Sequence, residues 1–211
     1  MERARALAGA GDRRILGIAG APGGGKSTLA AALIGELGPD TARLVGMDGF
    51  HLAQAELERL GRADRKGAPD TFDARGFAAL LRRLRARDDA VVYAPEFRRE
   101  IEEPVACAVP VPREVPLVVT EGNYLLVGDG DWADVHALLD EAWFVEGDDD
   151  RRRDWLIARH IEFGKAPDFA REWVLRSDER NAQLVATTRS RADLVVRVDE
   201  RPGDRRGATD T

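Results

Sequence analysis

Residues Gly20-Ala21-Pro22-Gly23-Gly24-Gly25-Lys26-Ser27-Thr28 follow the spacing G-x-x-x-x-G-K-[ST]. Their flanks restrict the fold more than any other feature of the chain. "RILGIAG", from Arg14, is a short apolar run of the kind that forms a strand buried on both faces of a parallel sheet. From Lys26 to Leu37 the pattern is helical: Leu29, Leu33 and Leu37 are four apart, and Gly38-Pro39 stops the run. Strand, glycine loop and helix in that order make a polyphosphate cradle. Glycines let backbone N–H groups face phosphate oxygens, and the helix N-terminus adds the positive end of its dipole.

Further strands are expected at "ARLVGMD" (ending at Asp48), "AVVYA" (from Ala90), "PLVVTEG" (from Pro116), "EAWFVEG" (from Glu141) and "DLVVRV" (from Asp193). Helical patterns separate most of them. Asp73 caps one that carries Phe77, Leu80, Leu81 and Leu84 on one face, and "WADVHALLD" makes a short one after Gly130. Residues 148–164 form an arginine-rich amphipathic helix, and Pro167 opens a last one running to about Thr188. The alternation predicts an α/β protein with a three-layer α/β/α phosphate-loop fold and a five-stranded parallel core. The expected organisation is one domain over 1–199, with an arginine-bearing lid at about 148–168 and a disordered polar tail at 200–211. Residues 96–115 hold Pro104, Pro110 and Pro112 without a helical period, and read as a loop or a β-ribbon. Cys107 is the only cysteine; it is expected as buried apolar filler and excludes an intrachain disulfide or a cysteine-cluster metal site.

Of the 32 basic residues only Lys26, Lys66 and Lys165 are lysine. In a chain that otherwise uses arginine, these are candidates for tasks a planar guanidinium does not perform, and Lys26 stands where a compact ammonium fits between phosphates. The formal net charge of -6 argues against nucleic acid or an anionic membrane as partner. No apolar run reaches the roughly 20 residues of a membrane span, and the N-terminus has no signal-peptide core. A cytoplasmic protein with a small-molecule substrate is expected, and a homodimer is compatible with the sequence.

Asp48 follows the second strand and Glu121 a later one. Ligands of open parallel sheets sit beyond the carboxyl ends of the strands, so both acids are expected in one cleft with Lys26. Phosphoryl transfer to an alcohol needs a phosphate clamp, Mg²⁺ and a carboxylate at the attacking hydroxyl. Ser27 can offer a metal-bound hydroxyl; one acid then serves the metal and the other the acceptor. In "DDDRRRDWLIARHIEFGK", Arg151 and Arg152 read as a solvated face, while Arg153 and Arg159 read as lid residues that close on the nucleotide. On the last helix Ser177 and Asn181 interrupt an apolar stripe, so Asn181 is either bonded locally to backbone or a cleft contact. His51, Lys66, Asp70, Arg99 and Tyr124 are further cleft candidates. The chain lacks the N-K-x-D of GTPases and the L-S-G-G-Q of transporter ATPases.

Six stretches, in order, carry a resemblance: "GAPGGGKST", "MDGFHL", "RKGAPDTFD", "TEGNYLL", "RHIEFG" and "SDERNAQLVATTRSRADLVV". Over about 14–198 the chain resembles the P-loop nucleoside and small-metabolite kinases: uridine kinases, phosphoribulokinases and bacterial type I pantothenate kinases. It is most similar to a bacterial branch associated with fructose uptake. The resemblance implies ATP and Mg²⁺ as cofactors, Asp48 as catalytic base and Glu121 as a magnesium residue. Uridine kinases carry an aromatic where His51 stands and an aspartate where Arg98 stands. "KGAPDTFD" and "TRSRADLVV" are similar to pantothenate kinase segments, where an upstream asparagine, here Asn181, helps hold pantothenate. The implied function is phosphorylation of a hydroxyl on a nucleoside, sugar or pantothenate-like metabolite. The alternative is a nucleotide-binding regulator without that activity.

Overall fold

The computed structural model describes residues 1–198; the expected tail, 200–211, lies outside them. Its strands are β1 (Arg14–Gly20), β2 (Ala42–Gly46), β3 (Val91–Arg98), β4 (Glu103–Pro112), β5 (Leu117–Gly122), β6 (Glu141–Gly147) and β7 (Leu194–Val198). Its helices are α1 (Glu2–Ala8), α2 (Lys26–Leu37), α3 (Gln54–Arg59), α4 (Ala74–Ala86), α5 (Asp149–Glu162), α6 (Pro167–Trp173) and α7 (Glu179–Ala186). Five strands make one parallel sheet in the order β2-β5-β1-β6-β7. Alternation along β1 sends Leu16 and Ile18 to one face and Ile15 and Ala19 to the other. The first pair packs with Ala30 and Leu33 of α2, the second with Phe77 and Leu81 of α4 and Val185 of α7. Helices thus cover both faces of the five-stranded sheet. Among the described residues no helix is long and apolar enough to cross a membrane.

Register levels the carboxyl ends of the central strands. Ile18 and Gly46 both pair with Glu121, so the loops that leave β1, β2 and β5 start from one edge. α4 begins where the sequence places its cap: Asp73 accepts the Gly76 N–H at 2.8 Å, and Phe77, Leu80, Leu81 and Leu84 are buried.

Four expectations need correction. "AVVYA" does not join the parallel sheet; it starts β3, which pairs antiparallel with β4 as a separate two-stranded ribbon. Pro95, Pro104, Pro110 and Pro112 cannot donate to a ladder, which confines the segment to edge positions. Cys107 is exposed rather than buried, because residues 106–108 bulge opposite Pro95 alone and Cys107 sits at φ 58. "WADVHALLD" forms two 3₁₀ turns, Gly130–Trp132 and His136–Leu138; so short a segment gains too few hydrogen bonds to repay helix nucleation. The last helix ends at Ala186 and contains one turn of π-helix, Val174–Asp178, between α6 and α7.

Arg13 ties these parts together from the residue before β1. It is 3% exposed and donates to the carbonyls of Leu84 (2.9 Å), Val115 (2.9 Å), Arg113 (3.1 Å) and Pro112. One guanidinium therefore bonds a last-turn carbonyl of α4 and the Val115 carbonyl, and adds a second donor to the Pro112 and Arg113 carbonyls, which also accept from the Val115 N–H and from Arg87. Arg13→Leu should cost about 2–4 kcal/mol by stranding the Leu84 and Val115 carbonyls. Urea unfolding would read this as a lower midpoint. An unchanged midpoint would mean that water replaces the guanidinium.

Candidate active site

The loop after β1 is shaped from below by α5. Gly23 has φ 74, and a Cβ there would lie 2.6 Å from Leu156 Cγ and 3.1 Å from the Arg152 carbonyl oxygen, so only glycine fits. Gly25, at φ 92, turns the chain into α2, whose first residue is Lys26. Lys26 is 7% exposed and its Nζ donates to the Ala21 carbonyl at 2.9 Å. Burial pushes this ammonium below its ordinary value, opposed by the charges of Glu121 and Asp48. Glu121, at the end of β5, accepts from Ser27 Oγ at 3.1 Å. Its carboxyl is held above the usual range by burial and then by the neighbouring charge of Asp48.

Asp48 lies in a 3₁₀ turn, Met47–Phe50, just beyond β2. Gly49 in that turn lets the ribbon approach: a Cβ would lie 2.6 Å from the Pro95 carbonyl oxygen. The ribbon's own turn then brings Arg99 Nη2 to 3.6 Å from Asp48 Oδ2. Asp48 lies inside this turn rather than at its N-cap, which is Gly46. Ser27, Glu121 and Asp48 offer hard oxygen donors, which fit Mg²⁺ held partly by phosphates and water. Among the described residues no group of three or more His, Cys, Asp or Glu side chains makes an all-protein metal cage.

Two cavities meet at this point. One, of about 280 Å³, reaches from Lys26, Ser27 and Asp48 toward His51, Lys66 and Asn181. The other, of about 390 Å³, lies between the loop and α5, against Thr28, Trp155 and Phe163. Arg99 and Arg159 line both. His51 Nδ1 is 2.8 Å from the Asp48 carbonyl oxygen, which requires the proton on Nδ1 and leaves Nε2 as an acceptor. Its ring packs 4.0 Å from that of Phe72 and 4.7 Å from that of Phe97. Asn181 Nδ2 donates to the Gly67 carbonyl at 3.2 Å, and Tyr124 Oη donates to the same oxygen.

Not every predicted side chain comes to these cavities. Tyr124 is buried in an aromatic cluster with Phe72 and Trp132 and holds the Gly67 turn from behind. Asp70 faces an outer groove and pairs with Arg65 at 2.9 Å. Arg153 lines neither cavity; it pairs with Asp150 at 2.5 Å and Glu179 at 3.6 Å. Arg152, expected in solvent, is instead 4% exposed, bonded to Glu179 at 2.7 Å and to the Pro22 carbonyl at 3.3 Å. The helix phase decides this. Leu156 packs on Gly23, so the residue four earlier, Arg152, faces the loop. His160, Trp173 and Asp178 line the smaller cavity without any signal in the sequence, and Lys165 lines it too. The scarcity of lysine was the signal for Lys165.

No family model matches the chain. It is 32% identical over 194 residues to a candidate uridine kinase of Schizosaccharomyces pombe, covering 87% of this chain and 83% of that one. It is 34% identical over 217 residues to a pantothenate kinase of Leifsonia xyli subsp. xyli, covering 88% of this chain and 66% of that one. The crystal structure of a candidate fructose transport system kinase from a Silicibacter species superposes with a TM-score of 0.80 at 34% identity, over 92% of this chain and 96% of that one.

Burial holds the His51 imidazole below its ordinary value of 6.5. Below about pH 6.5 the unfolded chain therefore binds more protons at this residue than the native one, and stability falls as the pH drops. His51→Gln should flatten the loss of Tm between about pH 7.5 and pH 5.5. A loss as steep as that of the parent chain would show that His51 titrates alike in both states.

Proposed function

The chain belongs to the P-loop kinases of the uridine kinase and pantothenate kinase type, and from that premise we propose that it transfers the γ-phosphoryl group of ATP to a hydroxyl of a small metabolite. The observation that carries this reading is Asp48. Its carboxylate stands with Lys26 and Ser27 in the smaller cavity, inside the Met47–Phe50 turn rather than at its N-cap, and faces the Arg99 guanidinium at 3.6 Å. A regulator that merely holds nucleotide has no use for an open carboxylate on the acceptor side.

In this reading Lys26 and the N–H groups of residues 23–28 hold the phosphates, and Thr28 and Arg159 contact the nucleotide in the cavity between the loop and α5. Asp48 accepts the proton of the acceptor hydroxyl as its oxygen bonds to the γ-phosphorus and the bond to the β–γ bridging oxygen breaks. Ser27 and Glu121 would hold Mg²⁺, which when bound offsets phosphate charge. Residues 148–168 act as a lid, and closure of α5 brings Arg159 onto the transferring group. His51 Nε2 and Asn181 orient the acceptor.

Asp48→Asn should bind ATP normally and lose about two to four decades in transfer. Glu121→Gln should shift the Mg²⁺ titration to higher concentration as well as slow the reaction. Lys26→Ala should lose ATP binding while the chain stays folded, which a cooperative urea transition checks. The measurement is ADP release over a panel of hydroxylated metabolites, with ATP affinity determined separately. Near-normal transfer by the Asn variant would remove Asp48 from the base role.

A further inference from the structure

All three lysines of the chain line one cavity. Many arginines elsewhere are matched to carboxylates, as in Arg14–Asp140, Arg152–Glu179 and Arg189–Glu146. The lysines are not: among the described residues none forms an ion pair. Lys26 Nζ donates to the Ala21 carbonyl, Lys66 Nζ to the Glu102 carbonyl at 2.6 Å, and Lys165 Nζ to His160 Nδ1 at 2.8 Å.

Lys66 and Lys165 reach this space from different parts of the chain. Lys66 leads a turn whose next carbonyl, that of Gly67, is gripped by two buried side chains, Tyr124 and Asn181. Lys165 lies in the link between α5 and α6. Its partner His160 is fixed in turn, with Nε2 2.9 Å from Asp178 Oδ2, so Nδ1 is free to accept from the ammonium. Each ammonium also lies over a ring, Lys66 at 5.5 Å from the Phe97 centroid and Lys165 at 5.0 Å from that of Trp173. Burial pushes the Lys165 ammonium down, opposed by the charges of Glu102 and Asp178, while those of Arg159 and Lys66 add to the downward push. Glu102 and Asp178 face the same space and attract Lys165, but neither comes to ion-pair distance.

Lys26 is occupied at the phosphates in the proposed reaction. Two further ammoniums, held in place and unmatched by carboxylates, remain on the acceptor side. A neutral acceptor would leave them without an ion-pair partner in a partly desolvated cavity. We infer that the acceptor is an acid: a compact hydroxylated metabolite whose carboxylate or phosphate monoester group sits between Lys66 and Lys165 while its hydroxyl faces Asp48. The inference rests on the kinase reading. It makes Lys66 and Lys165 specificity-determining residues, with His160 and Asp178 as positioning residues for Lys165.

The test uses the full chain and two readouts. In the first, ADP release is followed with acceptors paired by charge: glycerate against glycerol, ribose 5-phosphate against ribose, pantothenate against pantothenyl alcohol, and uridine as a neutral nucleoside. Turnover of an acid without its neutral partner is expected, and the acid used tells carboxylate from phosphate. Lys66→Gln and Lys165→Gln should each raise KM for that acid by about tenfold or more, with KM for ATP little changed. Transfer to a neutral acceptor that the double variant leaves unaltered overturns the inference and keeps the kinase reading. The second readout needs no turnover. With the nucleotide site filled by a non-hydrolysable ATP analogue, inorganic phosphate or acetate should raise the Tm of the parent chain by more than that of the double variant. Equal shifts overturn the anion site. Failure of the kinase reading is distinct: ATP binds, yet no acceptor of either charge releases ADP.

Discussion

A buried ammonium facing two carboxylates at one edge of a parallel sheet is the constraint on which the rest of this molecule is arranged. Burial disfavours the charged forms of both Lys26 and Glu121, and each offsets the cost of the other. Such a group holds only if every partner is fixed, because losing one strands the rest. Lys26 is fixed by the glycine loop and the start of α2, and Glu121 by its place at the end of β5, level with β1 and β2. Asp48 comes just after β2, whose last residue, Gly46, pairs with Glu121. The sheet therefore fixes the relative placement of all three.

Around that edge, irregular backbone does the fitting. The β-ribbon packs on Gly49 and delivers Arg99 and Phe97; the Gly67 turn delivers Lys66; the π turn at Val174–Asp178 lets one helical rod serve two contacts. A π turn adds a residue to the helical repeat and rotates the turns on its C-terminal side. Here it lies between Trp173, which faces the cavity over Lys165, and Asn181, which meets Gly67, while its last residue, Asp178, meets His160. These segments come from well-separated parts of the chain. Each is held by a contact that is buried or made of hydrogen bonds, so the acceptor wall is built at the level of tertiary structure.

The elements that were legible in the sequence are those whose signals are local. Glycine spacing, the four-residue leucine repeat of α2 and the Asp73 cap act within one or two turns, and these elements stand where the sequence puts them. The five-stranded parallel sheet was legible because β-branched runs alternate with helices. Illegible were choices of phase and of partner. Arg152 rather than Arg153 faces the loop because Leu156 packs on Gly23, a contact across more than a hundred residues. Cys107 is exposed because the ribbon bulges opposite Pro95.

By itself the sequence determined the phosphate loop, the sheet that carries it and the two acids at the carboxyl ends of strands, Glu121 inside β5 and Asp48 just past β2, since those depend on backbone conformation and strand order. It also marked the three lysines by their rarity. Only the tertiary structure decided which polar side chains share a cavity: it turned Asp70 outward, put Tyr124 behind the wall, and brought Lys165 and His160 in with Lys66. The physical reason is that a side chain's surroundings are set by helix phase, turn geometry and burial against distant segments. A one-residue change in any of these sends a charge to solvent or to the site, and no local pattern in the chain records which.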